Sequence, residues 1–179
     1  MHNINIAFAA LLFFLTSLPA TAATDLTTLD IDGFTLGMTV SQAKEKFPGL
    51  AIKEVKRGGV QIGFEARRGD VHVSFSSPAM GEAIFQVQQI KIYRDKPDPY
   101  PVYMEYVKKY GRPDYGGRQM MSVSACWGVC YGDNKKLEFS MTIVGFGEKP
   151  FPATLTLSDP KLDRANYNKY KEELEKKKK

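Results

Sequence analysis

The chain has 179 residues, 43% of them hydrophobic and 12% aromatic, with a formal net charge of +5. That apolar content is enough to build a core and excludes a disordered tail or a fibre. Lys176 to Lys179 contribute +4 of the net +5, so the basic balance describes a solvated end rather than a nucleic-acid surface, and no RNA-binding or zinc-finger pattern accompanies it.

Ile6 to Leu18 is apolar apart from Thr16 and Ser17. It is shorter than the roughly 20 residues that span a hydrocarbon core, so it reads as the h-region of a signal peptide and not as an anchor. Ala20-Thr21-Ala22 fits the small-x-small cleavage rule, which assigns residues 1–22 to the signal peptide and puts the mature start near Ala23, with Thr24 as the alternative. The n-region departs from the pattern in having no Lys or Arg, and no cysteine near the cleavage site provides for lipidation. The expected product is periplasmic or secreted, with no stable membrane anchor. Residues 23–165 are expected to form a single α+β domain and 166–179 a charged helical tail.

Within the domain the pattern predicts two passes of a helix followed by an antiparallel sheet, about 33–95 and 98–158. Thr39 with Gln42 three residues on is a capping box, predicting a helix from Val40 whose apolar stripe is Val40, Ala43 and Phe47 and whose stop is Pro48-Gly49. Val60, Ile62, Phe64 and Ala66 then alternate on one expected face, followed by Val71, Val73 and Phe75 across an Arg68-Gly69-Asp70 turn. From Ala83 to Arg94 the alternation changes phase: Phe85 and Val87, then Ile90 and Ile92. A β-bulge at Gln88-Gln89 is the expected cause.

The second pass opens at Asp98-Pro99-Tyr100-Pro101, predicting a helix over 101–110 with a Tyr103, Tyr106, Val107, Tyr110 stripe stopped by Gly111 and Pro113. A tyrosine stripe at this spacing reads as core, its hydroxyls at the wet edge. Strands are expected near 119–126, over 136–144 with Leu137, Phe139, Met141 and Ile143 alternating, and over 153–157. The tail helix would dock through Tyr167, Tyr170 and Leu174. Gly58-Gly59 and Gly116-Gly117 read as turns.

The run Gly33-Phe34-Thr35-Leu36-Gly37-Met38-Thr39, with a short helix carrying Ala43-Lys44 and the Pro-Gly stop, resembles the opening of SmpA/OmlA (BamE-like) periplasmic modules, and Tyr110-Gly111-Arg112-Pro113 resembles the Gly-x-Pro that closes their helical part. The tandem arrangement is similar to the β-lactamase inhibitor protein fold. The lipobox Cys of the outer-membrane lipoproteins is missing, so attachment and a role in barrel assembly do not carry over. What the resemblance implies is a binding scaffold, with no functional residues transferred.

Cys126 and Cys130 are the two cysteines of the chain, and in an exported protein an intramolecular disulfide is the leading expectation. Four extended residues span about 13 Å, whereas a disulfide needs Cα atoms roughly 4.4 to 6.8 Å apart, so the chain must turn sharply, with Gly128 supplying the turn. Structural bridging stands first; the alternatives are a preorganised recognition loop presenting Trp127, Val129 and Tyr131, then redox or metal chemistry. His72, the remaining histidine after cleavage, is expected on a surface strand and cannot make a zinc site alone. Neither a nucleophile elbow nor a free thiol is evident. Asp30/Asp32 and Glu65/Asp70 leave carboxylate chemistry open. The charges of Lys56-Arg57 and Arg67-Arg68 read as guards of strand ends. The expected function is therefore a non-catalytic module holding another exported protein, by a sheet face or the disulfide loop, as adaptor, inhibitor or immunity-type protein, with no cofactor or metal. The alternative is a cell-envelope enzyme acting through carboxylates.

Overall fold

The computed structural model describes residues 25–95, 98–119, 122–128, 137–144 and 150–178, so the expected signal peptide lies outside the described residues. Among these, the chain runs β1 (Asp30–Ile31), β2 (Phe34–Thr35), α1 (Val40–Lys46), β3 (Ile52–Arg57), β4 (Val60–Arg68), β5 (Val71–Ser76), β6 (Ile84–Tyr93), α2 (Pro99–Tyr110), β7 (Tyr115–Gln119), β8 (Ser122–Gly128), β9 (Glu138–Val144), β10 (Phe151–Ser158) and α3 (Pro160–Lys176). The class is α+β. β1 and β2 form a small hairpin; the other strands make one antiparallel sheet in the order β3-β4-β5-β6-β10-β9-β8-β7. The last strands of the two four-strand groups, β6 and β10, pair at its centre.

The helices begin where side chains satisfy free backbone N–H groups. Thr39 Oγ1 accepts from the Gln42 amide while Gln42 Oε1 accepts from the Thr39 amide at 2.8 Å, the reciprocal box expected for α1. Asp98 caps α2 two residues earlier than expected, and the stripe it buries is Pro99, Val102, Tyr106 and Tyr110. α3 starts six residues before the expected tail helix, because Asp159 accepts from the Lys161 and Leu162 amides at 3.0 Å and Pro160 sits at the first helical position.

One face of the sheet is apolar. Phe34, Ala43, Val73, Val102, Trp127 and Leu155 share a single core there, covered by α1, α2 and the β1–β2 hairpin. Arg68 ties this hairpin down by pairing with Asp32 and lying 4.7 Å from the centre of the Phe47 ring. Gly116 and Gly117, expected as a turn, are inside β7, paired with Ala125 and Ser124.

The expected bulge at Gln88-Gln89 is absent: β6 pairs with β10 without interruption from Gln86 to Tyr93. Register shifts occur instead opposite Ile62, between Val55 and Lys56, and opposite Phe85, between Ser74 and Phe75. The first has a structural consequence. The extra residue in β4 reverses its alternation, so Val60 and Ile62 leave the face of Phe64 and Ala66; Val60 is buried, yet outside the main core that holds Ala66. Gly63 is required at this bulge, since a Cβ there would lie 2.1 Å from the Phe75 carbonyl oxygen.

The reversal makes an apolar seat for α3 on the other face. Asn166 clamps the helix, its Oδ1 accepting from the Ser77 amide at 2.9 Å and its Nδ2 donating to the Ile62 carbonyl at 2.8 Å. Lys177 Nζ donates to the Gly59 carbonyl at 2.6 Å, tying down the far end. Replacing buried Asn166 by Ala leaves a donor and an acceptor unpaired, so Asn166→Ala is expected to cost about 2 kcal/mol in urea denaturation and to accelerate hydrogen exchange at the Ser77 amide. Unchanged exchange there would show that the clamp does not hold α3.

Candidate functional site

The face opposite α1 and α2 carries small polar side chains with an apolar patch at its centre. Cross-strand register builds it row by row. One row runs Gly117, Ser124, Thr142, Thr154 and Ile90 across β7, β8, β9, β10 and β6. The next places Ser122 beside Val144 and Pro152 beside Ile92; Pro152 stands one residue beyond the Ala153–Ile143 pair, which brings it next to Val144. Ile90 is 43% exposed and Ile92 and Val144 are each 53% exposed, and Pro152 is exposed as well. Because β6 has no bulge at Gln88-Gln89, the phase change in its sequence means that Val87, on the core face, is followed by two isoleucines on the face away from the core. A large apolar side chain on an open strand, rimmed by Ser and Thr, is the pattern of an interaction patch.

Among the described residues, α3 is the element that crosses this face, over β4, β5 and the start of β6, leaving the rest of β6 with β10, β9, β8 and β7 open. Between α3 and the sheet lies a cleft of about 240 Å³ lined by Val55, Arg57, Ile62, Glu65, Ser74, Phe85, Asp163, Tyr167 and Tyr170, among others. Burial raises the Asp163 carboxyl above its ordinary range. His72 projects from the same face, its Nε2 3.6 Å from Glu65 Oε2.

Trp127 is not presented on a loop. It is in β8, 1% exposed, edge-on to Tyr110 and 4.9 Å from Phe139 between ring centres, and its Nε1 donates to the Gly111 carbonyl at 3.0 Å. The preceding Cys126 falls on the opposite side of the strand, paired with Tyr115 and Ser140. Alternation explains the placement: in β8, Val123, Ala125 and Trp127 share the core face, so the bulky ring goes inward. Val129, Cys130 and Tyr131 lie outside the described residues. No described cysteine is free. Gly128 ends β8 with φ +88°, and a Cβ there would come within 2.7 Å of Leu26 Cδ1, so only glycine fits.

The carboxylate pairs noted in the sequence are dispersed. Asp32 pairs with Arg68, Asp30 accepts from the Gly33 amide and Asp70 accepts from Gln89. Glu65 shares its cleft with Asp163 instead. Among the described residues no group of three or more His, Cys, Asp and Glu could hold a metal ion, and no helix is long and apolar enough to cross a membrane. The tyrosines of α2 line the core edge: Tyr106 and Tyr110 are buried, and the Tyr106 hydroxyl is held far above the usual phenol range, first by burial and then by its contact with Tyr93.

The chain matches no family model, no curated protein and no solved structure.

Proposed function

We propose that this is an exported protein-binding module, acting as an adaptor, inhibitor or immunity-type protein, that holds another exported protein on the open face of its sheet. The observation that carries the proposal is the exposed patch of Ile90, Ile92, Val144 and Pro152 on the face opposite α1 and α2. Five strands of about 4.8 Å spacing and about seven residues each offer roughly 24 by 23 Å. A standard interface uses about 800 Å² per partner, so the docking surface extends beyond the strands into adjoining loops. A Cys126–Cys130 bridge, as the sequence leads one to expect, would constrain the segment that carries Val129 and Tyr131.

The sheet order supports the resemblance to SmpA/OmlA modules arranged in tandem, since two helix-plus-four-strand units joined through their last strands give β3-β4-β5-β6-β10-β9-β8-β7. Such a plan leaves one uninterrupted face free of α1 and α2. Export by the residue 1–22 signal peptide places the module and its partner in the periplasm or outside the cell.

The test is capture with tagged protein from the native envelope and secreted fractions, with Ile92→Asp alongside. A stoichiometric protein lost with Ile92→Asp and retained with Asp95→Asn supports the proposal; a partner held equally by Ile92→Asp places the contact elsewhere. A Cys126→Ser/Cys130→Ser variant reports separately on the loop.

The alternative of an envelope enzyme draws on Glu65 and Asp163 lining one cleft. Release of soluble fragments from purified cell-wall polymer, lost with Glu65→Gln, would favour it over docking.

A further inference from the structure

The cleft beneath α3 is set apart from the apolar patch and has its own chemistry. Its charges are separated along its length. Arg57 lies at one end, next to Gly58, where a Cβ would stand 4.0 Å from the Tyr170 hydroxyl. The other end is acidic. Asp163 belongs to the first turn of α3, whose entry is fixed by the Asp159 amide donating to the Phe85 carbonyl at 2.8 Å. Glu65 lines the same cleft from β4, in the cross-strand row that runs through Ser74 to Gln86, the neighbour of Phe85.

Seven residues of helix separate Asp163 from Tyr170, about 10 Å along the axis. Between the two ends the walls are apolar and aromatic, from Val55, Ile62, Phe85 and Tyr167. Neither Arg57 nor Asp163 has an ion-pair partner among the described residues. Asp163 is solvent-exposed where it lines the cleft, so an entering cation can reach it. Among the described residues Glu65 has the His72 ring opposite it, 3.6 Å away. A volume of about 240 Å³ falls below the range of drug-sized pockets and suits an occupant the size of one amino acid.

We propose that this cleft binds a small zwitterion with an apolar stem, an amino acid with a terminal cationic group, placing the cation between Glu65 and Asp163 and the carboxylate at Arg57. The aromatic walls cover the methylene stem. This site does not depend on protein docking at the sheet centre.

The test titrates the purified protein with 6-aminohexanoate while amide shifts are followed by NMR, with L-arginine as a second probe. Saturable shifts confined to the surroundings of Glu65, Ser74, Asp163 and Tyr170 are expected. Hexylamine and hexanoate, each lacking one charged end, should bind at least tenfold more weakly, and Arg57→Gln and Asp163→Asn should each weaken 6-aminohexanoate by a similar factor. Absence of saturable shifts overturns the proposal, as does equal binding of hexylamine and 6-aminohexanoate. The comparison of ligands on the unaltered protein stands even where a variant fails to fold. Because neither probe engages Ile90 or Ile92, failure here is distinct from failure of the docking proposal.

Discussion

Replacing Trp127 by Ala is expected to destabilise the fold by about 3–5 kcal/mol, the range for removing a fully buried large aromatic side chain. The ring sits where α2 meets β8 and β9: Tyr110 and Phe139 pack against it, and its N–H satisfies the carbonyl of Gly111, the residue that ends α2. Truncation opens a cavity and leaves that carbonyl without its donor. For a domain of this size the loss corresponds to roughly 10 °C in Tm. Thermal unfolding by far-ultraviolet circular dichroism measures it, since the substitution removes the chain's one tryptophan and its fluorescence. Trp127→Phe keeps most of the packing and should cost less. A Tm within a degree or two of the parent would contradict the placement of this ring. Loss of a partner in Trp127→Ala would therefore report unfolding, and that substitution cannot locate a docking surface.

The second large effect concerns recognition. Ile90→Asp/Ile92→Asp is expected to weaken partner binding by 100-fold or more, because central apolar anchors contribute about 2 kcal/mol or more each and a desolvated carboxylate adds a penalty of its own. The same change should cost little stability, since both side chains are about half exposed and neither belongs to the core. The two readouts separate recognition from folding. Affinity is measured by isothermal titration against the captured protein, and stability by urea denaturation. Unchanged affinity with unchanged stability would remove the patch from the interface.

Much of the local structure was legible. Thr39 and Gln42 announced α1 because a capping box is written in adjacent side chains. The turn at Gly69-Asp70 and the alternation of Val71, Val73 and Phe75 followed equally local rules. The apolar phase of β6 was also visible. A bulge and a sheet with two different faces give the same pattern, however, and only pairing with β10 distinguishes them. In β4 the ambiguity ran the other way: Val60, Ile62, Phe64 and Ala66 alternate without a break, yet the bulge opposite Val55 and Lys56 divides them between faces. β7 was hidden because Gly116 and Gly117 have strong turn character, and their strand conformation depends on β8 beside them.

The candidate sites show the same division. By itself the sequence determined the α+β class, the caps of its helices and the strand periodicities, since each rests on residues a few positions apart. Tertiary structure decided that Trp127 is core, that Ile90, Ile92, Val144 and Pro152 meet on one open surface, and that Glu65 and Asp163 line one cleft. These relations join residues from separate strands or from a strand and a helix, and they are fixed by register and by the seating of α3. Neither is encoded in local spacing, because a shift of one residue in a strand turns every side chain to the other face.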